Sequence, residues 1–311
     1  MKLSVIIPCY NEENNIELIY EATEKALKQI EKKEIIFIDD GSNDKTLEKM
    51  KKVVDHAKLK VKIVSFSRNF GREATLYAGF QNATGEYTAV IDGDMQQDPN
   101  LLIEMYDFLE KNPEYDSVAR YQEKRKERKF IIFLKNQFYK FMNKISDVKI
   151  ENATSEFRIF RKSMVDAILS LKEYHRFTKG ILAWIGFNTH YMPYVAKKRA
   201  SGTSKFTTKE YFKYAIEGII AFSTKPLRLA TYIGLLSFIV SIITLLIVMI
   251  QKVSFGTSIS GVSIIVIIVL LLSSLQLFCL GIIGEYLAKN HLQSKNRPVY
   301  IAKEIITNFK D

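Results

Sequence analysis

Two stretches near the C-terminus restrict this chain more than any other feature. Residues 229–250, LATYIGLLSFIVSIITLLIVMI, carry no charged side chain, and neither do residues 259–284, ISGVSIIVIIVLLLSSLQLFCLGIIG. At about 1.5 Å of rise per residue the shorter run reaches roughly 33 Å as a helix, enough for the hydrocarbon core of a bilayer. A water-soluble fold would have to bury both runs completely, so a membrane-crossing hairpin is expected. The connector QKVSFGTS holds one lysine, whereas Lys225 and Arg228 precede the first run and Lys289, Lys295 and Arg297 follow the second. Basic residues stay on the cytoplasmic side. Both ends of the hairpin, and the region that precedes it, are therefore expected in the cytoplasm, at the inner membrane of the cell.

The first 120 residues are of a different kind. KLSVIIP, EIIFIDD, VKIVSFS and EYTAVID are short apolar runs, and the segments between them have helical patterning, over about Asn14–Lys32, Asp44–Ala57 and Glu73–Asn82. Strands alternating with helices predict an α/β fold, a mainly parallel sheet with helices on both faces. Strands this uniformly apolar are buried on both sides. Ligands of such sheets gather at the carboxyl ends of the strands, where the chain places PCYNEE, DDGSND, SRNFGRE and DGDMQQD. Four polar clusters at four strand ends make one site. The N-terminus lacks the long apolar core of a signal peptide. Cys9 and Cys279 fall in unrelated segments and fit a reducing compartment.

The net charge of +11 calls for an anionic partner. Residues 120–144 alone hold nine Lys/Arg against two Glu. In TTKEYFKYAIEGIIAFST, Phe212, Ala215, Ile216, Ile219 and Ile220 form one apolar helical stripe, the pattern of a helix lying in a membrane interface. Four parts are expected: a cytoplasmic catalytic domain over 1–206, an amphipathic helix over 207–226, the hairpin over 227–285 and a cytoplasmic tail over 286–311. The basic charge clusters beside membrane elements rather than among aromatic stacking platforms, which argues against nucleic acid as the partner.

The chemistry is concentrated in VIDGDMQQDP, residues 90–99. Asp-x-Asp at a strand end projects Asp92 and Asp94 to one side, and Gly93 between them permits close backbone approach. With Gln96 they supply hard oxygen ligands for Mg²⁺ or Mn²⁺, leaving positions for water and phosphate. Asp98 and Pro99 read as the cap and first residue of the next helix. In DDGSNDKT, Asn43 or Asp44 is expected to cap a helix, while Asp39 and Asp40 are left to accept hydrogen bonds from a base or ribose.

SVIIPCYNEENNI, IDDGSNDKT, SRNFGREA, DGDMQQDP, SEFRIFRKS, RFTKG and RASGTSKF occur in that order, followed by two apolar runs and GEYLAKN…NRPVYI. In this the chain resembles the polyprenyl-phosphate subgroup of family 2 glycosyltransferases, which includes the GtrB-type bactoprenol glycosyltransferases and dolichyl-phosphate mannose synthases. The resemblance implies a GT-A fold, a nucleotide-sugar donor, a polyprenyl phosphate acceptor, a divalent metal and inversion at the anomeric carbon. By matching position, Pro8, Tyr10, Glu12 and Asp40 would hold base and ribose with help from Arg68. Asp92 would sit by ribose and metal, Asp94 and Gln96 would ligate the metal, and Arg199 and Lys205 would clamp the diphosphate. Arg120 would face phosphate. Glu156 stands where the family has an aspartate; it keeps the charge one methylene farther out, which favours positioning over a base role. Arg125, Arg128 and Lys129 are expected near the lipid phosphate.

The resemblance leaves the sugar open, with UDP-glucose and UDP-N-acetylglucosamine leading. A homo-oligomer is compatible with the sequence. A processive polysaccharide synthase would carry Gln-x-x-Arg-Trp and more spans. A non-enzymatic membrane adaptor would need no acidic pair.

Overall fold

The computed structural model describes residues 1–122, 154–195, 223–255 and 261–309. Arg199, Lys205, the basic stretch from 123 onward with Arg125, Arg128 and Lys129, and most of the expected amphipathic helix lie outside the described residues.

The apolar runs form strands β1 (Leu3–Cys9), β2 (Lys33–Asp39), β3 (Lys60–Phe66) and β4 (Tyr87–Val90). Helices α1 (Ile16–Ala26), α2 (Thr46–His56) and α3 (Arg72–Asn82) connect them. The chain continues through α4 (Leu101–Lys111), β5 (Ser117–Gln122), β6 (Thr154–Arg161), α5 (Lys162–Ser170), α6 (Thr178–Trp184) and β7 (Thr189–Tyr194). Two long helices, α7 (Lys225–Phe255) and α8 (Gly261–Ser294), precede a last strand, β8 (Ala302–Thr307). The described strands make one sheet in the order β7-β5-β6-β4-β1-β2-β3-β8. Pairs among β1 to β4 are parallel, whereas β6 runs antiparallel to both β4 and β5, and β8 antiparallel to β3.

Alternation along each strand divides the core in two. Val5, Ile7, Phe37, Ile63 and Phe157 pack under α1, α2 and α4. Ile6, Ile36, Ile38, Val64 and Phe160 pack under α3, α5 and α6. The result is a three-layer α/β fold, as expected, with the carboxyl ends of β1 to β4 along one rim.

The helix starts follow the capping residues. Asp44 Oδ1 accepts the Thr46 N–H at 3.0 Å, and Asp98 Oδ1 accepts the Asn100 N–H at 3.1 Å, each satisfying a donor that the first turn leaves orphaned.

Both apolar runs are helical. They leave large side chains such as Phe238, Leu236 and Leu277 more than half exposed, so the described residues of this chain do not bury them. Both helices are long and apolar enough to cross a membrane. They touch each other, with Cys279 Sγ donating to the Ala230 carbonyl.

Within 286–311, expected as a tail, residues up to Ser294 continue α8 and Ala302–Thr307 form β8 of the sheet. β8 completes the sheet edge, and Asn308 Oδ1 accepts the Val61 N–H at 2.9 Å. Tyr300 stacks on Phe66 with ring centroids 4.7 Å apart. The hairpin therefore leaves the α/β unit at Lys225 and returns to it.

Candidate active site

The rim begins with two interlocked loops. After β1, the backbone N–H groups of Asn11, Glu12 and Glu13 donate to Ser42 Oγ, Thr46 Oγ1 and Asp44 Oδ2 of the loop after β2. In return Asn43 N–H and Lys45 N–H donate to Asn11 Oδ1 and Glu13 Oε2. Five cross-loop bonds hold Pro8, Tyr10 and Glu12 in one wall. Within it Glu12 Oε2 accepts Asn15 Nδ2 at 2.6 Å.

The second wall is tied to the loop after β3. Asp39 accepts from the Ser42 N–H and the Ser65 hydroxyl. Asp40 Oδ1 accepts the Phe70 N–H at 2.7 Å, and its Oδ2 the Gly71 N–H at 3.0 Å. Burial raises the Asp40 carboxyl to about 6, against the pull of those two backbone donors. Asp40, expected to hold base or ribose, thus also organises the loop that carries Arg68. Arg68 lies over the Phe70 ring, 4.1 Å from its centroid. Gly41 makes the approach possible: its φ is +63°, and a Cβ there would meet the Arg68 backbone carbon at 2.4 Å.

The acidic turn follows β4. A Cβ on Gly93 would stand 3.0 Å from Cys9 Sγ and 3.4 Å from the Pro8 carbonyl oxygen, so any larger residue would make Cys9 give by a few tenths of an ångström for the turn to lie this close to the end of β1. Met95 is left-handed at φ +60°, a conformation that costs a bulky residue roughly 1–2 kcal/mol. Next to it, Asp94 Oδ1 accepts the Gln96 N–H at 3.1 Å. The glutamine that turns inward is Gln97, 3% exposed. Its amide grips Asp92 twice, donating to Oδ2 at 2.7 Å and accepting the Asp92 N–H at 2.9 Å.

Arg72, at the start of α3, closes the site. Its Nη2 donates to Asp92 Oδ1 at 2.6 Å and its Nε to Glu156 Oε2 on β6. One guanidinium thus joins the acidic turn of the parallel strands to the first antiparallel strand. Burial pushes the Glu156 carboxyl up, but Arg72, Lys179 and Arg158 outweigh it and hold it below the ordinary carboxylate range. Glu73 takes the opposite course. Burial, and then the nearby Glu156 charge, raise it to about 7, although the Thr178 N–H and hydroxyl both donate to its Oε2.

Arg120 does not share this space. β6 places Glu156 and Arg158 on the α3 face, and the β5–β6 register sets Ala119 opposite Arg158. Side-chain alternation then sends Arg120 to the other face, where it is 4% exposed and pairs with Glu104 of α4. Arg120, expected to face phosphate, is here paired with Glu104 rather than with the Arg72, Asp92 and Glu156 group.

A divalent cation was tested against this donor set. Mg²⁺ usually takes one or two carboxylates plus substrate phosphates. Both Asp92 oxygens already accept from Arg72 and Gln97, and among the described residues no group of three His, Cys, Asp or Glu forms a cage. The carboxylates of Asp92 and Asp94 at one strand exit are hard oxygen donors of the type a cation arriving with a diphosphate takes.

Arg72, Glu73, Gln97 and Thr178 were not singled out from the sequence. The first two lie within SRNFGREA, at a strand end already marked as part of the site, and that position was the available signal.

The model of Glycosyl transferase family 2 matches residues 4–169, and that of the GtrB C-terminal hairpin matches residues 225–289. CsbB of Bacillus subtilis (strain 168), which bears a glycosyltransferase name, is 39% identical over 311 residues, covering 99% of this chain and 93% of its own. The bactoprenol glucosyl transferase of Shigella phage SfV is 36% identical over 313 residues, covering 97% of this chain and 98% of its own. Among solved structures, S. aureus TarS 1–349 in complex with UDP-GlcNAc superposes with a TM-score of 0.47 at 19% identity, over 71% of this chain and 66% of that one.

Proposed function

Because the chain belongs to glycosyl transferase family 2 and carries the GtrB C-terminal hairpin, we propose that it transfers a sugar from a nucleotide-sugar donor to polyprenyl phosphate. The donor would be UDP-glucose or UDP-N-acetylglucosamine, the acceptor undecaprenyl phosphate, and the reaction face the cytoplasmic side of the membrane. The glycosyltransferase class and the GT-A fold are shared with the family. Acceptor, donor and sidedness are the finer reading. One observation supports it most: Arg72 joins the acidic turn to Glu156 in a unit whose two apolar helices leave and return to the same sheet.

In this reading the interlocked loops after β1 and β2 receive base and ribose without rearranging. Asp92, Asp94 and Gln96 are the residues that would hold a divalent cation, Mg²⁺ or Mn²⁺, which when bound would neutralise charge on the departing group. The lipid phosphate oxygen attacks the anomeric carbon from the side opposite the diphosphate. As that bond forms, the bond from C1 to the diphosphate oxygen breaks and its electron pair leaves with the nucleotide, which inverts the centre. The acceptor is already ionised near neutral pH, and a carboxylate held acidic by Arg72 is a weak base. Glu156 therefore positions: it keeps Arg72 turned toward the junction. A bilayer-held acceptor beside a fixed donor supplies the proximity.

The test is a panel of radiolabelled nucleotide sugars incubated with membranes holding the full-length chain and undecaprenyl phosphate. One donor is expected to give chloroform-extractable label that vanishes on chelation and in Asp94→Ala. No extractable label from any donor sinks the proposal.

A further inference from the structure

The last turns of α8 grip a loop that runs directly into the reaction centre. At 34 residues α8 is about 51 Å long, well beyond a hydrocarbon layer of ~30 Å. Its end, with Glu285, Lys289 and His291, stands clear of the apolar run. There Gln293 uses both ends of its amide. Its Oε1 accepts the Tyr174 N–H at 2.7 Å, and its Nε2 donates to the Lys172 carbonyl at 3.0 Å. A side chain here does the work of a neighbouring peptide unit, fixing two backbone groups of one loop at once.

What that loop carries gives the clamp its meaning. Arg176 donates to the Ile168 and Leu171 carbonyls and lies over the Tyr77 ring of α3, 4.5 Å from its centroid. Thr178 then donates twice to Glu73. The residue before Glu73 is Arg72, the bridge between Asp92 and Glu156. The path from the apolar helix to the bridge is thus a short series of hydrogen bonds and packed side chains.

We propose that Gln293 is a positioning residue: by clamping Lys172 and Tyr174 it registers the end of the second apolar helix against the Thr178–Glu73 pair, and so against Arg72. The inference rests on reading the Arg72 junction as the reaction centre. Its physical purpose is height. An acceptor phosphate is held at a level set by the bilayer, so the groups that receive it must be fixed to the element the bilayer also holds. Gln293 is exposed, so replacing it opens no cavity.

The test uses the full chain in lipid nanodiscs. In Gln293→Ala, turnover is expected to fall about tenfold with the KM for nucleotide sugar unchanged. Amide exchange at Tyr174 and Thr178 should quicken, while Phe70 and Gly71, held by Asp40, keep their protection. Gln293→Glu retains an acceptor for Tyr174 but no donor for Lys172, and should fall between Ala and wild type. Wild-type turnover in Gln293→Ala overturns the proposal, as does equal loss of protection at Phe70 and Gly71, which would mean general loosening. A wild-type chain that transfers no sugar defeats the proposed reaction instead. The exchange arm then decides the clamp alone, with faster exchange at Tyr174 and Thr178 supporting it and unchanged exchange refuting it.

Discussion

The parallel half of the sheet and its mixed half secure their polar groups by different means. Around β1, β2 and β3, carboxylates and hydroxyls accept backbone N–H groups: Asp40 from Phe70 and Gly71, Asp39 from Ser42, Thr46 from Glu12. Around β4, β5 and β6, arginines do the holding. Arg72 bridges Asp92 and Glu156, Arg120 meets Glu104, and Arg161 donates to the Tyr115, Leu109 and Asn112 carbonyls and to the Tyr87 hydroxyl. Backbone ties cannot move without the loop moving. An arginine can exchange one carboxylate for another anion. In the proposed reaction the first half therefore suits a nucleotide that must sit still, and the second an incoming phosphate that displaces existing partners.

The contrast can be broken at four places. Arg161→Ala leaves three part-buried carbonyls in and just after α4 without their donor and should destabilise the fold by about 3 kcal/mol, read as a lowered midpoint of thermal unfolding. Arg72→Ala, at a side chain 42% exposed, should unfold at nearly the wild-type temperature yet lose turnover on the order of 100-fold. Equal damage to both would merge the two halves into one kind of structure. Asp40→Ala strips the acceptor from two N–H groups and should cost about 2 kcal/mol along with weaker donor binding; Asp40→Asn, which keeps one acceptor oxygen, should cost less.

The smallest effect is a pH dependence. Asp40 and Glu73 are raised by burial to about 6 and about 7. The folded chain thus keeps protons that its unfolded carboxyls release near pH 4, and stability should fall as pH climbs from about 4 to 7. Glu73→Gln should flatten that fall, gaining a few degrees of melting temperature at pH 8 and none at pH 4.5. An identical slope in wild type and variant would place Glu73 in an ordinary solvated setting.

The two halves also differ in how far the sequence discloses them. Strands β1 to β4 were legible because continuous apolar runs between helical segments admit few arrangements. β8 was not: AKEIIT is short and of mixed polarity, and its partner β3 lies at the far end of the chain. Pairing across such separation leaves no local trace. Within the site, Asp92 and Asp94 stood out as acids at a strand exit. The grip of Gln97 on Asp92 spans the left-handed turn at Met95, which composition does not reveal. Arg72 looked like any charged residue in a first helical turn, because its two partners come from β4's exit and from β6. The face that Arg120 takes follows from the β5–β6 register rather than from its neighbours in sequence.

The claim that everything else leans on is that Arg72 couples the acidic turn to Glu156 during sugar transfer. A double-mutant cycle in the lipid-phosphate assay tests it most directly, with turnover measured for Arg72→Ala, Glu156→Ala and the pair. The account predicts that the double variant is about as slow as Arg72→Ala alone, since both changes break one junction. Losses that simply multiply would mean that the two side chains act independently and would contradict it.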